Sequence, residues 1–114
     1  MAVIVGDEKF DSLDEYQKLA ETSAVFPEDR ALGYLSLGVT SEAGEVAGLI
    51  KKHIRDGTPL DRGEMLAELG DVLWYVAVLA DRVGYPLSSV ASANIRKLAS
   101  RKARNKLGGS GDHR

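Results

Sequence analysis

Apolar residues recur along most of this chain at the three- and four-residue intervals of an amphipathic helix, and no stretch sustains the alternation of a strand. The pattern predicts an all-α fold of four helices separated by stop signals. Ser12, followed three positions later by Glu15, forms a capping box that opens a first helix running to about Val25, where Phe26-Pro27 ends it. Asp29 is placed to cap a second helix from Arg30 to about Arg55, closed at Asp56-Gly57 by a left-handed glycine. Thr58-Pro59 starts the third, with threonine as cap and proline in the first helical position, and Gly84 closes it. After the break at Tyr85-Pro86, Ser88 caps a fourth helix that continues through Lys106. Residues 1–107 therefore read as a single all-α domain, and 108–114 as a glycine-rich tail without periodicity.

Acidic residues interrupt the apolar stripes where solvated charge does not belong. At about 100° per residue, Leu35, Val39, Val46 and Leu49 share a narrow stripe of the second helix, with Glu42 in its middle and Glu45 at its edge. In the third helix, Glu68 and Asp71 share a face with Met65, Val72, Tyr75 and Leu79, and the run from Val72 to Ala80 is apolar nearly all round. That helix should be the most buried of the four. A lone ionised carboxylate in such a position is costly unless it is paired or bound to metal. Residues three apart are neighbours on a helix surface, so Glu42 with Glu45 and Glu68 with Asp71 form two clamps that antiparallel helices can bring together. An oxygen-only cage of this charge suits magnesium or manganese. The plainer reading makes them surface acids paired with Lys51, Lys52 or Arg82, but it leaves the doubled clamp on two apolar stripes unexplained.

Composition narrows the chemistry further. With 114 residues there is room for one domain, and 44% hydrophobic against 28% charged residues is the balance of a globular rather than a disordered chain. No apolar run reaches the length of a membrane span, and Met1-Ala2-Val3-Ile4-Val5 is too short for a signal peptide, so a cytoplasmic location is expected. The absence of cysteine excludes disulfides, thiolate metal sites and a thiol nucleophile. No P-loop or dinucleotide-binding glycine motif is present either.

Basic residues concentrate between Arg96 and Lys106, where no acid occurs. Asn94, Lys97, Arg101 and Arg104 fall on one side of the fourth helix, as a row for phosphate oxygens or as a solvated basic face. Lys52 lies about 10 Å beyond Glu45 along the same side of its helix, within reach of a phosphate chain, with a surface ion pair as the rival role. Tyr75, one turn past Asp71, could turn its hydroxyl to a phosphate or a metal-bound water, or serve as a core tyrosine. Gly38, one turn before Glu42, leaves room either for a ligand or for close helix packing. His53 reads as a packing or hydrogen-bonding residue near a helix end. Glu45, at the edge of its stripe where water can approach, is the candidate general base.

Taken together, Glu42-x-x-Glu45, a spacer of 22 residues and Glu68-x-x-Asp71 resemble the signature of the MazG-like, all-α nucleoside triphosphate pyrophosphohydrolases. Leu37 to Val46 and Glu68 to Tyr75 look like that family's two motif helices, and Asn94-x-x-Lys97-Leu98 like the helix that follows. The resemblance implies a four-helix, bundle-like MazG-type fold completed by oligomerisation, as a dimer or tetramer, with sites that can draw on both chains. It implies that Glu42, Glu45, Glu68 and Asp71 bind magnesium, and that water cleaves a nucleoside triphosphate to the monophosphate and pyrophosphate. Lys52, Tyr75, Asn94, Lys97 and Arg101 are then the expected substrate contacts. A di-iron bundle is disfavoured, because no Glu-x-x-His motif is present. The remaining alternative is a non-enzymatic helical interaction module that uses the basic fourth helix; nucleic acid is not the expected partner, and no membrane is expected.

Overall fold

The computed structural model describes residues 9–104. Among them it contains four α-helices, a 3-10 turn and no strand: α1 Leu13–Glu21, the turn Glu28–Arg30, α2 Ala31–Asp56, α3 Arg62–Arg82 and α4 Leu87–Ala103. The expected all-α class is what forms. Several boundaries move, each for a local reason. α1 stops at Glu21 because the Thr22 and Ser23 hydroxyls turn back onto the carbonyls of Leu19 and Ala20. Asp29 sits inside the 3-10 turn and caps nothing; Arg30 precedes α2 without a side-chain cap. Asp61, not Thr58, caps α3, accepting from the Glu64 amide at 3.0 Å, while the Thr58 carbonyl accepts from the His53 ring across the connection. Gly57 closes α2 at φ 65°, in the left-handed region where a Cβ would be strained. The expectations for Lys106 and the 108–114 tail lie outside the described residues.

α2 and α3 form the main body, a helical hairpin joined through residues 57–61 with its faces in extensive contact. Their register is antiparallel: Glu42 approaches Asp71, and one turn back on α2 Gly38 meets Tyr75, one turn forward on α3. A Cβ at position 38 would land on the Tyr75 ring, so glycine there serves helix packing and the ring fills the space that a ligand could have taken. Leu35, Ala77 and Val78 are fully buried around this contact, and Ala20, Ala31 and Leu87 complete the core cluster.

α1 lies against α3 and α4 rather than α2, and its polar side chains fix the fourth helix. Gln17 is buried and saturated: its amide donates to the carbonyls of Ala77 at 2.9 Å and Tyr85 at 3.1 Å, and its oxygen accepts from the Leu87 amide at 3.0 Å. Asp14 accepts from both the amide and the hydroxyl of Ser88. Ser88 is therefore not a cap; it stands in the first turn of α4, where Pro86 is the terminal residue and the orphan donors are satisfied from α1. Trp74 donates from its indole to the Ala20 carbonyl and the Ser23 hydroxyl, a packing role as expected. At the far end of α3, Arg82 binds Glu28 and Glu21 and lies over the Phe26 ring, tying the α1–α2 connection to the hairpin.

Two predictions follow from this packing. Gly38→Ala drives a methyl into an aromatic ring and should destabilise by about 1–3 kcal/mol. Gly33→Ala, whose Cβ meets nothing within 4 Å, should be neutral or stabilise by up to about 1 kcal/mol. Urea unfolding of the pair measures both, and equal responses would contradict the role given to Tyr75. The second concerns acid. Hydrogen bonds from Ser88 hold the Asp14 carboxyl below its ordinary 3.8, and those from Arg82 hold Glu28 below its ordinary 4.5. A folded-state pKa below the unfolded one gives stability that is complete above the unfolded value and is lost as pH falls through the folded one. Asp14→Asn with Glu28→Gln should therefore lower stability at pH 7 and flatten its decline below about pH 4.5; parallel thermal unfolding curves from pH 7 to 3 would refute this.

Candidate metal centre

Three of the four predicted acids meet. Glu42 of α2 and Glu68 and Asp71 of α3 each offer a carboxylate oxygen, and these atoms lie within 4.8 Å of one another. The hairpin register produces the meeting: Glu68 and Asp71 are neighbours on α3, and Glu42 enters from the facing helix between them. Glu45 is exposed and stands outside the triad, although its charge still acts on Glu68.

Glu68 is the strained member. Its Oε2 is sealed from solvent and has no hydrogen-bond partner. Burial pushes its carboxyl above the ordinary 4.5, the apposed Glu42 adds to the rise, and Asp71 and Glu45 raise it further. Every charge in that list has the same sign. A buried acceptor without a donor is costly, and a divalent cation meets both needs by supplying positive charge and filling the open coordination position. The donor set is all oxygen, which fits magnesium or manganese rather than a softer ion.

Tyrosines border the acids. Burial raises the Tyr75 hydroxyl above its ordinary 10.0; interaction with Tyr34, and then the charges of Glu42 and Asp71, add to it. Tyr16 of α1 is raised by burial and by Asp71. The Tyr75 ring is packed in the hairpin against Gly38, the core role open to it in the sequence, and the charges of Glu42 and Asp71 act on its hydroxyl. Tyr34 escaped the sequence reading, although Tyr34, Gly38 and Glu42 succeed one another at four-residue intervals on one face of α2. Tyr16 had no such signal, since only the docking of α1 brings it near.

The expected cations stand elsewhere. α4 packs against α1 and α3 but not α2, and Asn94 and Lys97 line a groove of about 730 Å³ with Tyr85, Ser89, Val90, Ala93 and Arg96 that includes none of the acids. Arg101 is 4% exposed, so it is not a solvated member of a basic row. Lys52 is exposed on α2, with Asp56 in electrostatic reach. Among the described residues no helix is long and apolar enough to cross a membrane.

The class that the fold defines is an all-α protein with a helical hairpin that brings three carboxylates together, a donor set able to take a divalent cation. The MazG nucleotide pyrophosphohydrolase domain model matches residues 33–105, from α2 through α4, and the chain belongs to that family. It is 42% identical over 112 residues to the Gene 37 protein of Mycobacterium phage L5, an alignment covering 90% of this chain and 98% of the relative. No solved structure gives a significant match.

The triad predicts a crossed response. Magnesium or manganese should stabilise the wild type, by about 2.7 kcal/mol at a hundred times the dissociation constant. Glu68→Gln should lose that response and yet be more stable than the wild type without metal at neutral pH, because a raised folded pKa means that the ionised carboxylate opposes folding above its ordinary 4.5. Calorimetric scans with chelator and with metal decide it; a metal-free Glu68→Gln that melts lower refutes the repulsion.

Proposed function

We propose that this protein is a magnesium-dependent nucleoside triphosphate pyrophosphohydrolase, releasing the monophosphate and pyrophosphate. The observation that carries the reading is the triad of Glu42, Glu68 and Asp71 with a buried, unpartnered Glu68 oxygen, placed within the part of the chain that matches the family domain. Glu42, Glu68 and Asp71 would hold the cation. When bound, it offers Lewis-acid stabilisation of phosphate charge and lowers the pKa of a coordinated water. Glu45, exposed one turn from Glu42, is positioned to accept a proton from an attacking water, and could serve as a further ligand. The Tyr75 hydroxyl, on which the charges of Glu42 and Asp71 act, is an uncharged donor for a phosphate oxygen in this reading.

Lys52, Asn94 and Lys97 are proposed to act on the phosphate chain as positioned charges and donors, whereas Arg101, expected in the same role, is 4% exposed and is not offered to it. Within one chain the α4 groove and the acidic triad have different linings, and we infer that a second copy brings them into one site. Support comes from the small core and from leucines and isoleucines left in water: Leu37 and Ile54 of α2 are each 73% exposed and Leu66 of α3 is 74% exposed. Large apolar side chains left exposed along both helices of the hairpin are what an uncovered interaction face presents. A homodimer or homotetramer would cover it. The reading of α4 as a non-enzymatic interaction surface leaves the triad without a purpose.

The test is turnover. Purified protein with millimolar magnesium should convert at least one common ribo- or deoxyribonucleoside triphosphate to monophosphate and pyrophosphate. Glu45→Gln should lower the maximal rate by roughly 10²–10⁴-fold with metal affinity nearly unchanged; full rescue by excess magnesium would make Glu45 a ligand instead. Mixing Glu68→Gln with Lys97→Ala subunits should restore part of the activity that each lacks, which a site contained within one chain would not allow.

A further inference from the structure

The exposed side of α2 changes character along its length. At about 100° per residue, Tyr34, Glu45 and Lys52 fall within roughly 20° of one another around the helix, and all three are exposed. Beyond Glu45 this line ends in a cation. Before Glu42 it ends in a ring, Tyr34, with the apolar Leu37 beside it, 43% and 73% exposed. A cavity of about 440 Å³ opens there, lined by Pro27, Asp29, Arg30, Gly33, Tyr34 and Leu37. Its volume is that of a small-molecule site. Gly33 adds no side chain to it, and a Cβ built there meets nothing within 4 Å. The Tyr34 ring is held in its plane by packing on Phe26, 5.2 Å between centroids and 17° between planes, and Phe26 is covered in turn by the Arg82 guanidinium.

This lining differs in chemistry from the α4 groove. There Arg96 and Lys97 bring two positive charges and no acid. Here Asp29 and Arg30 balance, and the rest is a proline, an aromatic ring, a leucine and a bare glycine. Phosphate suits the first, whereas a flat, uncharged ring with hydrogen-bonding edges suits the second. Among the described residues Asp29 and Arg30 enter no ion pair, so both are at the disposal of a ligand. Tyr34 precedes Glu42 by eight residues, about 12 Å along the axis, a span that a nucleoside bridges when its phosphates lie at the acids. We propose that this cavity is the nucleobase subsite. Tyr34 is the ring on which the base packs, and Asp29 and Arg30 choose among bases, the carboxylate by accepting from their N–H groups and the guanidinium by donating to their carbonyl oxygens or ring nitrogens. The inference rests on the pyrophosphohydrolase reading and adds to it the direction of the substrate along α2: base toward the start of the helix, terminal phosphate toward Lys52.

Gly33→Leu puts a side chain into open space at the cavity and should fold as the wild type does. With magnesium, it should raise KM roughly tenfold for the nucleoside triphosphates that the wild type hydrolyses and leave kcat within about twofold, the pattern of binding lost equally from ground and transition states. Magnesium-dependent affinity for inorganic tripolyphosphate, which has no base, should be unchanged by calorimetry. Asp29→Asn should change the ratio of kcat/KM between two bases by roughly tenfold, the worth of a hydrogen bond to a charged group. An unchanged KM in Gly33→Leu, or equal losses of affinity for nucleotide and tripolyphosphate, overturns the proposal. So does a Gly33→Leu that alters the oligomeric state with KM intact, which makes the cavity an interface between copies. A second measurement needs no turnover. In the wild type, the Gly33 amide and Leu37 methyl resonances should shift with millimolar nucleoside monophosphates and not with ribose 5-phosphate. The absence of a shift with every nucleoside monophosphate overturns the proposal whether or not triphosphates are hydrolysed. Such shifts in a protein that hydrolyses no nucleoside triphosphate refute the pyrophosphohydrolase reading and support the base site.

Discussion

Like-charge repulsion at a helix interface is the constraint around which this structure is arranged. Three carboxylates meet where α2 and α3 pack, and Glu68 carries an oxygen sealed from solvent among charges of its own sign. Hydrophobic packing alone would separate the helices at that point or neutralise the acid. The hairpin instead holds the acids together, so its remaining contacts must supply the closing force. An arrangement that opposes its own folding is retained where chemistry requires it, and clustered charge of one sign is the form that a cation site takes before its cation arrives.

The closing force comes from the side of the triad away from the 57–61 connection, along the start of α2 and the end of α3. One turn from it, the Tyr75 ring lies on the bare backbone of Gly38, the closest approach that two helices can make with an aromatic between them. Deeper in the hairpin, Leu35, Ala77 and Val78 are sealed from solvent. At the far end of α3, Arg82 gathers Glu21 and Glu28 and covers Phe26. None of these contacts touches the acids, yet each limits how far α2 can move from α3.

The sequence discloses the periodic parts of this design and conceals the tertiary ones. Helix number and type and the convergence of Glu42 with Glu68 and Asp71 were legible because they depend on residue spacing along single helices, whereas α3, expected to be the most buried helix, leaves Leu66, Leu69 and Leu73 exposed and buries mainly Ala77, Val78 and Ala80. Caps were legible only when local: Ser12 does accept from Glu15, whereas Ser88 is satisfied by Asp14, 74 residues away in sequence, and no local pattern encodes that. Proline misled at position 59, because Asp61 offers the better cap and α3 begins after it. Glu45 shares a motif with Glu42 but stands exposed outside the triad, whereas Glu68 and Asp71, at the same spacing on α3, both enter it; which member of a pair faces the partner helix depends on how the two helices pack. The row expected on α4 does not hold as one solvated face, because Arg101 is buried, and burial of a single member is a tertiary fact that helical spacing does not encode.

The caps of α4 bear on how the chain reaches this state. Its first turn offers amides that no neighbouring side chain satisfies, and Asp14 and Gln17 of α1 complete it from the opposite end of the sequence. Alone, a 17-residue helix opening with Leu-Ser-Ser and no cap of its own is marginal in water. The start of α4 is therefore held in helical form by a helix some seventy residues earlier in the chain. A fragment trimmed to residues 33–105 keeps every acid of the triad but discards the partners that complete the start of α4, so the span of the family match leaves out side chains on which its last helix leans.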